Sequence, residues 1–250
     1  MSVAVNQTCL PPVDGLRARL GFWLRNDASR LLWPSRCLVC AEPGLEGMDL
    51  CGACATDLPR GGSACLRCAL PLPATGTCGR CLRRPPPLRE VRAACLYAPP
   101  LDRLLPRFKF HDDLAAGRLL SQLMAEAFAG LPKPDALVPV PLHRGRLRAR
   151  GYDQALELAR PVARAHDIPL HRGLLVRSRA TAPQSELHAI SRRRNVRDAF
   201  AVRGGGHALP AHVVLVDDVM TTGATLHAAA EALLRAGVRR VDAWVCARTP

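Results

Sequence analysis

The sequence has few lysines, few aromatic residues and no long apolar run, and each shortage narrows the possible functions. Only Lys109 and Lys133 are lysines, so nearly all of the 35 basic side chains, set against 21 acidic ones, are arginines. Guanidinium groups match phosphate geometry, so the net charge of +14 favours phosphorylated ligands, nucleic acid or an anionic surface. No apolar run approaches the roughly 18 residues that a membrane-spanning helix needs, which argues against membrane insertion. Aromatic residues make up 4% of the chain and offer few platforms for base stacking.

The opening residues lack the basic and apolar regions of a secretory signal peptide, and Pro11 and Pro12 interrupt their apolar character. We therefore expect a cytoplasmic protein. The arginines and tryptophans before residue 37 predict an N-terminal helical arm that packs on its own domain, with a membrane-surface helix as the alternative.

Eight of the eleven cysteines form four Cys-x-x-Cys pairs within residues 37–81, separated by 10, 10 and 9 residues. Two such pairs supply the four thiolates of a tetrahedral zinc site, so the pattern predicts a double zinc ribbon with two structural zinc ions. The predicted ligands are Cys37, Cys40, Cys51, Cys54, Cys65, Cys68, Cys78 and Cys81. The alternatives are a disulfide scaffold, which a reducing compartment disfavours, and a redox-active pair.

Three prolines in residues 83–90 exclude a helix and mark a linker. The predicted organisation is a helical arm over 1–36, a double zinc ribbon over 37–82, this linker, and a second domain over 91–250. The second domain alternates strand-like and helix-like stretches, which is typical of an α/β fold with a parallel sheet covered by helices on both faces. The predicted strands cover residues 91–98, 136–140, 213–216 and 240–246, and the predicted helices cover residues 114–129, 152–166 and 224–236.

Two acids and a threonine-rich turn follow the buried strand Val213–Val216, at the strand end where ligands of parallel sheets gather. The adjacent carboxylates of Asp217 and Asp218 can accept hydrogen bonds from two neighbouring hydroxyls, such as those of a ribose. The turn Thr221–Thr225, called the phosphate loop below, leads into a helix, and Gly223 is available for a positive φ there. Its N–H groups and the helix dipole suit a phosphate monoester. Together they fit a ribose 5-phosphate, and the alternative is an ordinary strand-to-helix turn.

The segment Val213–Thr225, VVLVDDVMTTGAT, resembles the signature of type I phosphoribosyltransferases, which bind 5-phosphoribosyl-1-pyrophosphate (PRPP) with Mg²⁺. The cysteine pairs and three further motifs make the chain similar to the ComF family, including its GntX branch. These motifs are YAPPL at 97–101, VPVPL at 138–142 and RGYDQ at 150–154, and the resemblance also includes Lys109, Gln184, Arg192, Asn195 and Phe200. Two departures are Asp153, where the family usually has Asn, and Pro106, in a segment usually read as a helix.

The resemblance implies residue roles within the predicted site. Asp217 and Asp218 are expected to hold the ribose hydroxyls. The 5-phosphate is expected to lie against Thr221, Thr222, Gly223, Ala224 and Thr225. The loop after Val140 is expected to face the pyrophosphate, and its Arg150 fits the family motif. Its other three arginines, Arg144, Arg146 and Arg148, are expected either to join that site or to be solvated surface. Lys109 is a further candidate for the same anion. The polar segment 177–195 is expected either to close over the site or to be a solvated surface loop.

Two functions are consistent with these features. The first is Mg²⁺-dependent displacement of pyrophosphate from PRPP by an unknown acceptor, in a phosphoribosyltransferase linked to DNA uptake in natural competence. The alternative is a factor that handles single-stranded DNA, in which arginines and zinc ribbons contact phosphates and the PRPP site is a sensor or a relic. The expected partners are accordingly PRPP and single-stranded DNA, with peripheral association with the DNA-uptake machinery and no membrane insertion.

Overall fold

The computed structural model of the chain describes residues 35–177, 199–203 and 208–250. The predicted helical arm lies outside the described residues except for Ser35 and Arg36, and the predicted closing loop lies outside them except for Arg177. Gln184, Arg192 and Asn195 also lie outside the described residues. The chain divides into two compact units, Met1–Gly52 and Ala53–Pro250. The domain boundaries drawn from the sequence stay predictions.

Four parallel strands form the central sheet in the order β1-β6-β5-β2. They are β1 (Val91–Leu96), β2 (Ala136–Pro139), β5 (His212–Met220) and β6 (Arg240–Arg248). Two short strands, β3 (Leu175–Arg177) and β4 (Phe200–Val202), pair antiparallel beside them. All four strands predicted from apolar runs are present, and the parallel α/β fold is confirmed.

Seven helices are described. They are α1 (Gly52–Thr56), α2 (Gly79–Arg83), α3 (Leu101–Phe110), α4 (Leu114–Ala127), α5 (Arg144–Arg150), α6 (Gln154–His166) and α7 (Ala224–Arg235). The N-caps of α4 and α6 are aspartates whose side chains accept hydrogen bonds from backbone N–H groups, which explains where those helices begin. Between α2 and β1 the proline-rich residues form neither helix nor strand, as predicted.

Helices cover both faces of the sheet because successive strand residues point to opposite faces. On one face, Val213 and Leu215 of β5 belong to a buried cluster with Leu226 and Ala230 of α7. This cluster also contains the four cysteines from Cys65 to Cys81, so the second ribbon packs directly into the core of the sheet unit. On the other face, α4 and α6 pack together, and Phe128 stacks on Trp244 of β6 with ring centroids 4.8 Å apart.

Two helices differ from the sequence expectations. The segment after Val140, predicted as a loop, contains α5, which is capped by His143 and ends at Gly151 with φ of 79°. Helix α3 continues through Pro106, because a proline in a helix of ten residues removes one backbone donor without ending the helix.

Among the described residues, no helix combines the length and the apolar character needed to cross a membrane.

Candidate functional site

The two acids lie inside β5, not beyond its end as the sequence predicted. Parallel pairing with β6 continues past them, with Asp217 opposite Val245 and Met220 opposite Arg248. The backbone hydrogen bonds of the ladder therefore extend the strand up to the phosphate loop, although its apolar run stops at Val216.

Asp218 is buried, at 8% exposure, and forms an ion pair with Lys109 of α3. The Nζ–Oδ2 distance is 2.8 Å, and the other carboxylate oxygen accepts a hydrogen bond from the Val219 N–H at 2.6 Å. Burial lowers the pKa of Lys109, but the carboxylates of Asp218 and Asp217 outweigh that effect and raise it. Lys109 thus stays charged beside the Asp218 carboxyl.

Asp217 has a different electrostatic environment from Asp218. Burial and the neighbouring charge of Asp218 raise the pKa of the Asp217 carboxyl to about 8. Its Oδ1 accepts a hydrogen bond from the Asp218 N–H at 2.9 Å. The pair therefore combines a carboxylate stabilised by a lysine with a second carboxyl that titrates near neutral pH.

The phosphate loop has the backbone geometry that its sequence predicted. Gly223 is the N-cap of α7 and has φ of 80°, in the left-handed region that glycine tolerates. A Cβ added there would lie 2.5 Å from Cε of Met220 and 3.0 Å from Nε2 of His227, so a larger residue does not fit without movement. The first turn of α7 contains no acidic side chain. This end of the helix therefore carries no negative charge that would oppose an anion.

A cavity of about 690 Å³ joins the acids to one side of the phosphate loop. The predicted site residues that line it are Lys109, Arg150, Asp217, Asp218, Thr221 and Thr225. Thr222 and Ala224 line a neighbouring cavity of about 790 Å³ instead. The loop thus forms part of the wall of both cavities.

Helix α5 brings two of its four arginines to the smaller cavity. Arg146 and Arg150 line it, and the guanidinium of Arg150 lies over the ring of Phe110, 5.2 Å from the centroid. Burial, together with the charge of Arg150, lowers the pKa of Arg146. Two cations therefore face the site from the element predicted as a pyrophosphate loop.

The sequence did not single out Arg177, although it lines the same cavity at the end of β3. Its exposure is 8%, burial lowers its pKa to about 10, and its guanidinium lies 5.4 Å from the centroid of the Phe200 ring. Arg177 is a single arginine at the end of a three-residue strand and belongs to no recognisable motif. Only the antiparallel pairing of β3 with β4 shows where it lies.

Asp153 replaces the asparagine usual in the ComF motif, and the structure shows how it is held. Its carboxylate caps α6 by accepting from Leu156 N at 3.1 Å and also accepts from Leu142 N at 3.4 Å. Burial, with the charge of Asp218, raises its pKa, while these backbone donors oppose the rise. Asp153 therefore lines the cavity as a structural cap.

The eight paired cysteines form two tetracysteine clusters, as predicted. Within each cluster the four sulfurs lie within 4.8 Å of one another. The first cluster is Cys37, Cys40, Cys51 and Cys54, and the second is Cys65, Cys68, Cys78 and Cys81. The Sγ atoms of Cys40 and Cys51 are 3.5 Å apart and those of Cys68 and Cys78 are 3.8 Å apart. A zinc ion with Zn–S bonds of about 2.3 Å holds its sulfurs about 3.8 Å apart, so both clusters fit structural zinc.

Backbone donors favour the thiolate form of Cys37 and Cys65, whereas burial raises the pKa of Cys68 and Cys81. Burial raises the pKa of Cys37, but hydrogen bonds from the backbone of Cys51 and Cys40 outweigh it and lower the pKa to about 6. In the same way, burial raises the pKa of Cys65, and the backbone N–H of Cys78, at 3.3 Å, helps to lower it to about 7. The ten described cysteines form no disulfide, which disfavours a disulfide scaffold.

The fold and the cysteine clusters define a phosphoribosyltransferase-type domain that follows a double zinc ribbon. Residues 28–82 match the double zinc ribbon domain, and residues 109–250 match the phosphoribosyl transferase domain. The chain belongs to the ComF family, which combines these two parts.

Curated relatives support this assignment. Competence protein F of Haemophilus influenzae is 36% identical over 156 residues, which cover 60% of this chain and 68% of that protein. The DNA utilization protein YhgH of Salmonella typhi is 40% identical over the same length and coverage. Competence protein ComFC of Bacillus subtilis is 31% identical over 135 residues, or 53% of each chain. Among solved structures, adenine phosphoribosyl transferase of Trypanosoma brucei aligns with a TM-score of 0.36 and 15% identity, over 56% of this chain and 55% of that one.

Proposed function

We propose that the chain binds PRPP with Mg²⁺ and transfers its phosphoribosyl group to an acceptor, releasing pyrophosphate. One observation carries this proposal: a single cavity contains the adjacent acids, one side of the phosphate loop and a set of cations. A sugar that carries phosphate at both ends can use all of these groups. The acids accept hydrogen bonds from its hydroxyls, the loop N–H groups donate to one phosphate, and the cations balance the charge of the leaving pyrophosphate.

The acids bind the ribose in this proposal. Asp218, which forms an ion pair with Lys109, accepts a hydrogen bond from one ribose hydroxyl, and Asp217 accepts one from its neighbour. At the other end, the left-handed backbone of Gly223 bends the loop, so backbone N–H groups and the hydroxyls of Thr221 and Thr225 can surround the 5-phosphate.

Arg146, Arg150 and Arg177 stabilise the departing pyrophosphate. The bond from C1 to the pyrophosphate oxygen breaks with its electron pair on that oxygen. A lone pair of the acceptor then forms the new bond to C1, and the acceptor's proton passes to the released pyrophosphate or to water. The carboxylate oxygens of Asp217 and Asp218 are ligands of the type that Mg²⁺ prefers, and Mg²⁺ supplies further charge to the leaving group when bound.

Calorimetric titration with PRPP and Mg²⁺ tests this proposal. We expect the wild type to bind and the double variant Asp217→Asn/Asp218→Asn to lose at least tenfold in affinity, because each asparagine replaces one acceptor oxygen with an NH2 donor. Asp167→Asn is the matched control, since the Asp167 side chain is 99% exposed and asparagine tolerates its left-handed backbone. Absence of binding by the wild type, or equal binding by the double variant, contradicts the proposal.

A second function, handling of single-stranded DNA, is favoured by the larger cavity. Its basic wall comprises Arg80, Arg83 and Arg84, and three prolines lie beside them. Burial lowers the pKa of Arg80, but a hydrogen bond to Cys68 and the thiolate charges raise it overall. Arg83 and Arg84 are exposed and can contact a phosphate backbone. The names of the relatives, competence and DNA utilization proteins, fit this function.

Fluorescence anisotropy with a labelled oligonucleotide at several salt concentrations tests this second function. Each phosphate contact predicts a slope of roughly −0.7 in log affinity against log salt for a single strand. The variant Arg83→Ala/Arg84→Ala should flatten that slope, and Arg172→Ala, an exposed arginine in a turn, should not. Salt-independent binding, or equal slopes for all three proteins, argues against this function.

A further inference from the structure

Arg248, the last residue of β6, connects the second cysteine cluster to the phosphate loop. The residue is 3% exposed, and its guanidinium donates to two distant carbonyls. Nε lies 2.8 Å from the carbonyl oxygen of Cys68, and Nη1 lies 3.0 Å from that of Met220. Nη1 also donates to the carbonyl of the adjacent Thr249. A buried guanidinium that binds carbonyls holds its acceptors in a fixed geometry, because losing either one leaves a buried donor unpaired.

At one end of this connection, the second cysteine cluster holds the Cys68 carbonyl, which accepts the hydrogen bond from Arg248. Cys68 is a sulfur ligand of the second cluster, and its knuckle is closed by a hydrogen bond from Ala69 N to the Cys65 carbonyl at 2.7 Å. Ala69 has a positive φ of 53°, so the chain turns sharply directly after the Cys68 carbonyl. A metal that holds the Cys65 and Cys68 sulfurs therefore also holds the carbonyl that Arg248 contacts.

At the other end, the acceptor is the residue directly before the phosphate loop. Met220 ends β5, and its carbonyl accepts from Arg248 and from Thr249 N at 3.1 Å. Its Cε lies 2.5 Å from the position where Gly223 would carry a Cβ, so its side chain packs against the loop. Met220 therefore contacts the loop through its side chain and leads into it through its backbone.

We propose that Arg248 is a positioning residue through which the second zinc site, and not the first, sets the affinity of the loop for the 5-phosphate. This inference rests on the proposed function, since it assumes that the loop binds the phosphate of PRPP. It adds that the zinc ribbon has a role beyond its own folding.

Arg248 is expected to affect the 5-phosphate end of PRPP and not the pyrophosphate end. The two ends are therefore used as separate probes. Calorimetry measures ribose 5-phosphate and magnesium pyrophosphate against the zinc-loaded full chain and Arg248→Met. We expect about a tenfold loss for ribose 5-phosphate, because the charged hydrogen bonds that join the Cys68 and Met220 carbonyls are lost, and a change below twofold for pyrophosphate. Arg248→Lys keeps the charge but not the planar fork of the guanidinium, and it should recover part of the loss.

The affinity for zinc provides a second measurement. Ribose 5-phosphate would not change it if Arg248 had only a structural role. Linkage requires that ribose 5-phosphate raises the equilibrium affinity of one of the two zinc sites, measured by competition with a chelator, if that zinc supports the loop. This gain in zinc affinity should be present in the wild type and lost in Arg248→Met. A matched pair of ligand variants separates the clusters: Cys68→Ser should weaken ribose 5-phosphate binding, and Cys54→Ser, from the first cluster, should not.

The outcomes separate this inference from the function on which it rests. Equal binding of ribose 5-phosphate by wild type and Arg248→Met overturns the inference alone. Equal losses for ribose 5-phosphate and pyrophosphate also overturn it, because they indicate general disruption of the fold. A wild type that binds neither half of PRPP overturns the proposed function and this inference together.

Discussion

At the scale of single residues, Gly223 determines the shape of the phosphate loop. Its φ of 80° and the close approach of Met220 and His227 leave no room for a side chain. The sequence alone identified Gly223, because a glycine in a turn from a strand into a helix can adopt the positive φ that other residues resist.

We predict that Gly223→Ala weakens ribose 5-phosphate binding by about tenfold, since the left-handed backbone costs about 1–2 kcal/mol and the new methyl group displaces the loop. Gly130→Ala is the control, because Gly130 has a similar φ of 77° with nothing within 4 Å of its added Cβ. Calorimetry and thermal unfolding check both variants. Similar effects of the two substitutions on binding would contradict the role of Gly223.

Asp217 gives a pH dependence with a definite sign. Its folded-state pKa, raised to about 8 by burial and by Asp218, lies above the unfolded value. The protonated carboxyl therefore favours the folded state, and this contribution is lost as the pH rises through about 8. We predict that the thermal midpoint of the ligand-free wild type falls, relative to Asp217→Asn, as the pH rises from the ordinary carboxyl pKa of 3.8 to about 8, and that the difference changes little above pH 8. A constant difference between the two proteins across that range would show that the pKa is not raised.

At the scale of elements, α5 presents arginines on two sides. Arg146 and Arg150 line the smaller cavity, whereas Arg144 and Arg148 are not among its lining residues. We predict that Arg150→Ala weakens magnesium pyrophosphate binding by about tenfold, through loss of a charged donor, and leaves ribose 5-phosphate binding unchanged. Arg148→Ala, in the same helix, is the control. Equal losses in both variants would indicate a general effect of net charge.

The elements that sequence predicted are those with an apolar periodicity. Strands β5 and β6 and helices α4, α6 and α7 carry such patterns, and all are present. Helix α5 was missed because four of its seven residues are arginine and it has no apolar face. Strands β3 and β4 were missed because each has only three residues and their pairing is distant in sequence. The ion pair of Lys109 with Asp218 spans 109 residues of chain, and no local pattern reveals it.

At the scale of the whole molecule, the second zinc ribbon is part of the core of the sheet unit. Its cysteines are buried together with residues of β5, β6 and α7. The spacing of the cysteines predicted the two tetracysteine clusters that the structure contains. It did not reveal this packing, because the contact between Cys68 and Arg248 joins residues 180 positions apart.

We predict that removing a ligand of the buried cluster destabilises the sheet unit more than removing one of the exposed ligands. Cys81→Ser should lower the thermal midpoint by on the order of 10 °C, since metal binding contributes folding free energy. Cys40→Ser, at an exposed position of the first cluster, is the control and should have a smaller effect. Calorimetric scanning with zinc content measured by native mass spectrometry checks this. An equal or larger effect of Cys40→Ser would contradict it.

The most direct measurement of the central claim is a crystal structure of the zinc-loaded chain with Mg²⁺ and PRPP. The account predicts that the two ribose hydroxyls lie within hydrogen-bond distance of Asp217 and Asp218, with the 5-phosphate inside the turn Thr221–Thr225 and the pyrophosphate beside Arg150. PRPP bound instead in the larger cavity against Arg83 and Arg84, with Asp218 still paired to Lys109, would contradict the claim.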